Sequence, residues 1–397
     1  MIRRFGLLLV VFFVVAPARS ALLALDEKEI YEQATNASYN LDFETAERGF
    51  DALTHDYPDN PDYWNALASV RWLRIALKQQ KLNLESFSGR SLGTRDSKDT
   101  VDSAEERLFR DTIAIAIQKA DNILARNPND VSALYAKGIS NGTLGSFEAT
   151  IKRSYVAAYS RARIARDLHE QVLKLDPMFD DAALSIGAYD YVIGVIPGFV
   201  RFLLAPFGVR SAGKDIGIME LERAATNGKL VATDARMILT VVYTREKQYD
   251  QAMRIYEGLH AKYPGNYAIR LAQASVYAKM QKWDEADRIY QEILEKVIAK
   301  KDGYERLRQG RVFYAIGANN IVGQQFEKAI DAFGHVVSSS DATQDERGRA
   351  YLALGKLFDT KKDRTKALEQ YDALLGLNIN PDLKTEALRY KRRPFGE

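Results

Sequence analysis

The side chains best suited to chemistry are scarce. His55, His169, His260 and His335 are the only imidazoles in 397 residues, and cysteine is absent. Without thiols the chain has no disulfide, thiolate zinc site, iron–sulfur cluster or catalytic cysteine. The histidines lie far apart and in no ligand-spaced pair, which argues against a histidine-held metal. Carboxylates are plentiful, and Glu220-Leu221-Glu222-Arg223 and Asp284-Glu285 could each be imagined as acid and base. On exposed helix faces such charges are solvated and do no catalysis. No glycine-rich phosphate loop of either common type is present. The composition points away from an enzyme, a cofactor or a metal, and toward binding.

Charge narrows the partner. The chain carries 56 lysines and arginines against 53 aspartates and glutamates. Three of those arginines fall in residues 1–20, a segment without an acid. It has a basic start at Arg3-Arg4, an apolar run from Phe5 to Val15 and a small-residue exit through Ala16-Pro17-Ala18-Arg19-Ser20-Ala21. A bilayer span needs about 20 apolar residues, so the run is too short for one. The pattern reads as a secretory signal peptide cut after Ser20, with Ala18 as the alternative position. The expected destination is the periplasm or the cell envelope, where ATP is lacking. Without a cysteine, no diacylglyceryl anchor can be attached. The remainder balances at 53 against 53, so the electrostatic case for nucleic acid fails. The 21 tyrosines read as wedges between helices, not as a stacking platform for bases. Lys361-Lys362-Asp363-Arg364 and Lys391-Arg392-Arg393 read as charged turns or tails that aid solubility, with lipid headgroup contact as a weaker alternative.

What must position any binding groups is a repeat. Tyr249-Asp250-Gln251-Ala252 and Trp283-Asp284-Glu285-Ala286 share a pattern, followed by Tyr256 and Leu259 in one copy and by Tyr290 and Ile293 in the other. Tyr243 and Tyr277 precede them, and all these positions are offset by 34 residues. The figure recurs at Phe43, Ala46, Phe50 and Leu53; at Phe326, Ala329, Phe333 and Val336; and at Ala367, Tyr371 and Leu374. Apolar residues three and four apart line one helix face, and alanine admits a second helix closely. Pro58, Pro128, Pro177 and Pro264 set the stops.

These residues resemble the tetratricopeptide repeat family. Trp64, Leu67 and Ala68 look like the opening of a first helix. Leu239, Thr240, Tyr243, Ala252, Tyr256, Leu259 and Pro264 look like one full repeat, and Gln273 to Ile293 like the next. Leu354, Gly355, Phe358, Ala367, Tyr371 and Leu374 resemble a late unit. Degenerate units centre on Gly138, Gly187 and Gly317, where glycine takes the small packing position. The resemblance implies an all-α fold, a right-handed superhelical solenoid of antiparallel helix pairs in seven or eight units, and a non-catalytic scaffold that binds a protein or peptide. It also implies a concave groove lined by first helices. Candidate groove residues are Asn65, Ser69, Trp72, Tyr135, Ile139, Leu184, Tyr191, Met237, Val241, Leu271, Ser275, Tyr314 and Lys356. The family's carboxylate clamp uses lysine and asparagine at such positions. Met237 and Val241, or Leu271 and Ser275, stand there instead, which argues against capture of a chain terminus.

The pattern divides the chain into an N-terminal subarray at 26–189, an apolar insertion at 190–214 and a C-terminal subarray at 215–390. A serine-rich loop insertion at 78–104 interrupts the first subarray, and its second helix between Gly145 and Pro177 is overlong. In the apolar insertion Pro197 and Pro206 bracket Phe199, Arg201, Phe202 and Leu203, with Phe207 just beyond. Three readings stand: core that seals the two subarrays, a plug or partner contact in the groove, and a lipid or membrane contact through residues 192–209.

Overall fold

A computed structural model describes residues 26–79, 101–196, 209–301, 303–379 and 381–396. The signal peptide reading at 1–20, most of the loop insertion, and Phe199, Arg201, Phe202 and Phe207 fall outside the described residues. Seventeen α-helices and no strand occupy what is described.

They form eight consecutive antiparallel pairs and a final single helix. The pairs are α1 Glu27–Tyr39 with α2 Phe43–Asp56, α3 Pro61–Lys78 with α4 Ser103–Leu124, α5 Val131–Phe147 with α6 Tyr155–Leu175, and α7 Ala183–Gly194 with α8 Lys214–Asn227. Next come α9 Ala232–Arg245 with α10 Tyr249–Lys262, α11 Tyr267–Lys279 with α12 Trp283–Ile298, α13 Gln309–Val322 with α14 Phe326–Ser338, and α15 Gln344–Thr360 with α16 Arg364–Leu375. Helix α17, Pro381–Arg392, covers the end. Each helix packs on the next, and α3 also reaches α5, α13 reaches α15 and α15 reaches α17. First helices therefore form the inner layer of a helical solenoid.

The packing explains the repeat. Ala46, Ala252, Ala286, Ala329 and Ala367 are all fully buried, with the aromatics Phe50, Tyr256, Tyr290, Phe333 and Tyr371 beside them. Each aromatic removes on the order of 150–250 Å² from water, which no isolated pair could shield. Where the inner helix carries glycine, the outer one comes nearer: a Cβ at Gly138 would meet the His169 ring, and one at Gly317 the Phe333 ring. Unit boundaries are set by caps. The side chains of Asn60, Asp130 and Asn266 accept hydrogen bonds from first-turn amides of α3, α5 and α11.

Turns inside the pairs follow one plan. Leu41, Lys247, Gln281, Gln324 and Lys362 all adopt left-handed backbone, with φ between 58 and 66°. The amide after each bonds back to the last turn of the first helix, as in Gln248 N to Tyr243 O at 2.7 Å and Lys282 N to Tyr277 O at 2.9 Å. This is the Schellman closure, made here without glycine.

The interruptions also acquire a place. Residues Glu148–Lys152 form a π-helical turn that separates α5 from α6, ending at Arg153 with φ 53°. Tyr191–Gly194 form the last turn of α7, and α7 pairs directly with α8 across residues 195–213. The array is thus continuous there.

The first unit folds back on the array. Asn40 Oδ1 accepts from Gly265 N at 3.0 Å, and Asn266 Nδ2 donates to Tyr39 O at 2.7 Å. The Tyr39 and Tyr263 rings lie 4.9 Å apart. Leu41 and Leu77 pack on the core between α11 and α13, and Arg306 pairs with Glu44 at 2.8 Å. The trough is closed along part of its length.

Candidate trough site

Helix register brings two carboxylates to the trough. Asp62 lies five residues before Leu67, and Asp234 five before Leu239. Both occupy the first turn of a first helix, where the helix dipole favours negative charge. They sit one turn toward the helix start from Asn65 and Met237, on the same face. Both keep part of their surface exposed. Burial pushes each carboxyl up to about 6.

Tyrosines from other units feel these charges. Asp62, Asp181 and Asp234 all act on the Tyr31 hydroxyl of α1, which burial and these charges push up to about 12. The same three acids act on the Tyr135 hydroxyl of α5, pushed well above its ordinary value, chiefly by burial. Asp234 also raises the Tyr39 hydroxyl, behind burial as the chief cause. Asp181 has a structural duty: its Oδ1 accepts from Leu230 N at 2.8 Å and Val231 N at 3.1 Å, at the start of α9. Tyr31 packs against Phe50 and Tyr63, with ring centroids 5.6 and 6.0 Å away.

The groove residues expected from sequence take several stations. Asn65 is buried, donating to Ala136 O at 2.8 Å and accepting from Ser140 Oγ at 2.7 Å, so it clamps α3 to α5. Trp72 Nε1 donates to Thr150 Oγ1 at 3.2 Å. Tyr135 is wedged between His169 and Phe179, at 4.9 and 4.8 Å between centroids, and only its hydroxyl end reaches the acids. His169 accounts for the ring's position: its Nε2 bonds Tyr135 O at 3.0 Å, and burial holds its own proton affinity down to about 4. Tyr191 is core, its hydroxyl donating to Glu246 at 3.1 Å. Met237 is half-buried on the core around Leu239. Tyr314 is half-buried against Phe333 at 5.4 Å, its hydroxyl pushed up by burial. Of the acids considered from sequence, Glu222 accepts from Tyr243, and Asp284 and Glu285 lie in the first turn of α12. Among the described residues, no group of three histidines or acids could hold a metal ion.

Sequence reasoning missed Asp62, Asp234, Tyr31 and Tyr39. The equal register of Asp62 and Asp234 was the available signal. The contribution of α1 had none, because it depends on the closure.

Residues 243–297, which include α10, α11 and most of α12, match the family described as tetratricopeptide repeat. The chain carries tetratricopeptide repeats. No curated protein matches it in sequence. Among solved structures it is similar to yeast Tom70, at 14% identity, covering 93% of this chain and 90% of that one, with a TM-score of 0.38. A tetratricopeptide repeat protein from Parabacteroides merdae shares 14% identity over 82% of this chain and 98% of the other, at 0.32. The human IFIT1 dimer with m7Gppp-AAAA shares 13% identity over 93% and 88%, at 0.42.

Proposed function

We propose that this chain is a non-catalytic, exported scaffold whose tetratricopeptide trough holds a segment of a partner protein, in the periplasm or at the envelope. The carrying observation is the inner layer of first helices, which lines the trough with half-buried side chains such as Tyr314 and Met237. Such a surface suits an extended or helical segment, because anchors on successive units can engage successive partner residues. A photoreactive phenylalanine placed at Met237 or Tyr314 is expected to cross-link a discrete envelope protein. The same residue at Glu257, exposed on the outer helix α10, is expected to give none. Equal labelling from both faces, or none from either, removes the reading.

One observation favours a second reading, contact with a lipid surface. Val156 is 85% exposed and Val192 58%, with Tyr155, Ile216 and Met219 also open. Val192, Ile216 and Met219 lie where α7 ends and α8 begins, at the Gly194–Lys214 approach, and Tyr155 and Val156 open α6. Exposed apolar side chains grouped this way are unusual on a surface facing only water. On this reading the chain floats with liposomes, and Val156→Asp with Val192→Asp abolishes flotation with no change in melting temperature. Sedimentation of the unaltered chain apart from the liposomes rules it out.

A further inference from the structure

We propose that the first helix pair is a latch: docking of the α1–α2 turn closes the trough into a ring, and its release opens the trough sideways to a partner segment. Successive units are joined by helices packed along their length, but the closure is made turn on turn. Asn40 Oδ1 accepts from Gly265 N at 3.0 Å, Asn266 Nδ2 donates to Tyr39 O at 2.7 Å, and the Tyr39 ring lies against Tyr263. The flanking pair of Glu44 and Arg306 is 76% and 47% exposed, so water already solvates both charges and separating them costs little. Leu41 and Leu77 add a partly buried apolar contact. Helix α1 packs along α2, and α2 along α3, while neither packs along α10, α11 or α12. The first pair is anchored elsewhere, through the core of Phe43, Phe50, Tyr63 and Leu67 that it shares with α3. That joint is the hinge, and the turn contact is the smaller, second hold.

The opposite side is built as a seat. Ala286 and Ala329 stand 43 residues apart, against 34 between Ala252 and Ala286, and the extra residues lengthen the joint between α12 and α13. Tyr304 and Leu307 fix this joint, both buried in the core that Leu41 and Leu77 touch. Gly303, with φ 85°, lays its backbone on Gly265, where a Cβ would lie 2.3 Å from Gly265 O. The long joint thus backs the Gly265 turn on one side while Asn40 meets it on another, and it carries Arg306 to Glu44. Release breaks these few contacts and leaves the cores around Leu67, Leu239 and Ile293 whole, so it is a local opening and not an unfolding. Tyr39 and Met237 pack on the same core, so the docked turn bridges the trough beside α9. A partner segment flanked by more chain enters there only when the latch is free. That consequence takes the trough as the partner's place from the scaffold reading; the opening itself does not depend on it.

Thiol labelling of the full chain tests this, because the parent has no cysteine. A Cβ at Gly265 lies 3.5 Å from Asn40 Cβ, within reach of a disulfide, so Asn40→Cys with Gly265→Cys locks the latch when oxidised. Gly265→Glu releases it: the new Cβ lies 3.1 Å from Asn40 Oδ1 and 3.3 Å from Asn40 O, two acceptors that repel a carboxylate. Met237→Cys, added to the parent, the locked chain and the released chain, leaves one free thiol in each. A polyethylene-glycol maleimide is expected to label position 237 at least about tenfold more slowly in the locked chain than in the released one, with the parent between. N-ethylmaleimide, small enough to pass a closed ring, is expected to label all three alike. If it labels the Gly265→Glu chain faster, that chain has lost structure, and the locked chain against the parent decides. Low urea is expected to leave the parent's rate with the bulky reagent nearly unchanged, since latch release exposes little surface. Failure of the thiol pair to form an intramolecular bridge, equal rates with the bulky reagent in locked and parent chains, or a parent rate that climbs steeply with urea overturns the proposal. Cross-linking at Met237 to an envelope protein can fail while these rates still differ; the scaffold reading then falls and the latch stands.

Discussion

Gly217→Val is expected to cost at least about 3 kcal/mol, at or beyond the upper end of ordinary overpacking. A Cβ at this position would lie 2.4 Å from Tyr191 N and 2.8 Å from Gly187 O. The reciprocal site is as tight, with a Cβ at Gly187 2.7 Å from Gly217 O and 2.8 Å from Leu221 N. All four distances are to backbone atoms, so no rotamer change relieves them. Helices α7 and α8 must separate, which uncovers Leu221 and Ala224 at the centre of the largest core cluster. In a solenoid each unit is held by its neighbours, so damage at this joint splits the array's cooperativity. Urea unfolding is expected to shift to lower midpoint and to broaden or divide. Gly258→Ala and Gly334→Ala serve as controls, because a Cβ there meets nothing within 4 Å. Both lie within helices, α10 and α14, and are expected to gain about 0.5–1 kcal/mol. A midpoint for Gly217→Val equal to that of the controls would refute the close approach of α7 and α8.

Asp359→Ala is expected to cost about 3 kcal/mol and to free the last helix. The Asp359 side chain is fully buried. It accepts from Arg364 Nη1 at 2.8 Å, Tyr371 Oη at 2.8 Å and Phe395 N at 2.9 Å. Arg364 in turn donates through Nη2 to Tyr390 O and Lys391 O, at the end of α17. Removing the acid leaves a guanidinium, a buried phenol and an amide with lost partners at once. Breaking a buried pair costs about 3–5 kcal/mol; Arg364 is about a third exposed, so water recovers some of it and the lower figure applies. Hydrogen exchange across Pro381–Arg392 is expected to quicken on the order of 100-fold, while α9 to α12 keep their protection, since a terminal unit opens without the rest. Asp345→Ala removes an exposed i,i+4 pair with Arg349 and is expected to cost under about 0.5 kcal/mol. If the two substitutions cost the same, the network does not hold α17.

Both predictions depend on how units fit together, and the sequence revealed different parts of that fit unequally. The repeat itself was legible, because every unit solves the same local problem. Ala252 and Tyr256 stand to Ala286 and Tyr290 as Ala46 stands to Phe50, and all are buried. Prolines and caps marked where units end, since a missing donor or a side-chain acceptor acts within a few residues. Glycine at 138, 187 and 317 announced close helix approach, although only the structure shows what comes near: the His169 ring, the α8 backbone and the Phe333 ring. The turns within pairs were illegible. Leucine, lysine and glutamine hold the left-handed positions where glycine would have been the signal, and the helices on either side supply the energy that keeps them there.

Of the candidate site, the sequence by itself determined that first helices form a lining, that Tyr135, Met237 and Tyr314 belong to those helices, and that histidine, thiol and metal chemistry had few groups to draw on. It left Asp62 and Asp234 as two ordinary acids in two helix starts. Only the tertiary structure carries α1 across the array, so that the Tyr39 ring meets Tyr263 and Asp234 acts on its hydroxyl. The physical reason is accumulation. Each unit turns a little on the last, and that rotation is set by side-chain packing at every joint. Contacts such as Asn40 to Gly265, 225 residues apart, depend on the sum of all the joints between, and no local pattern carries that sum.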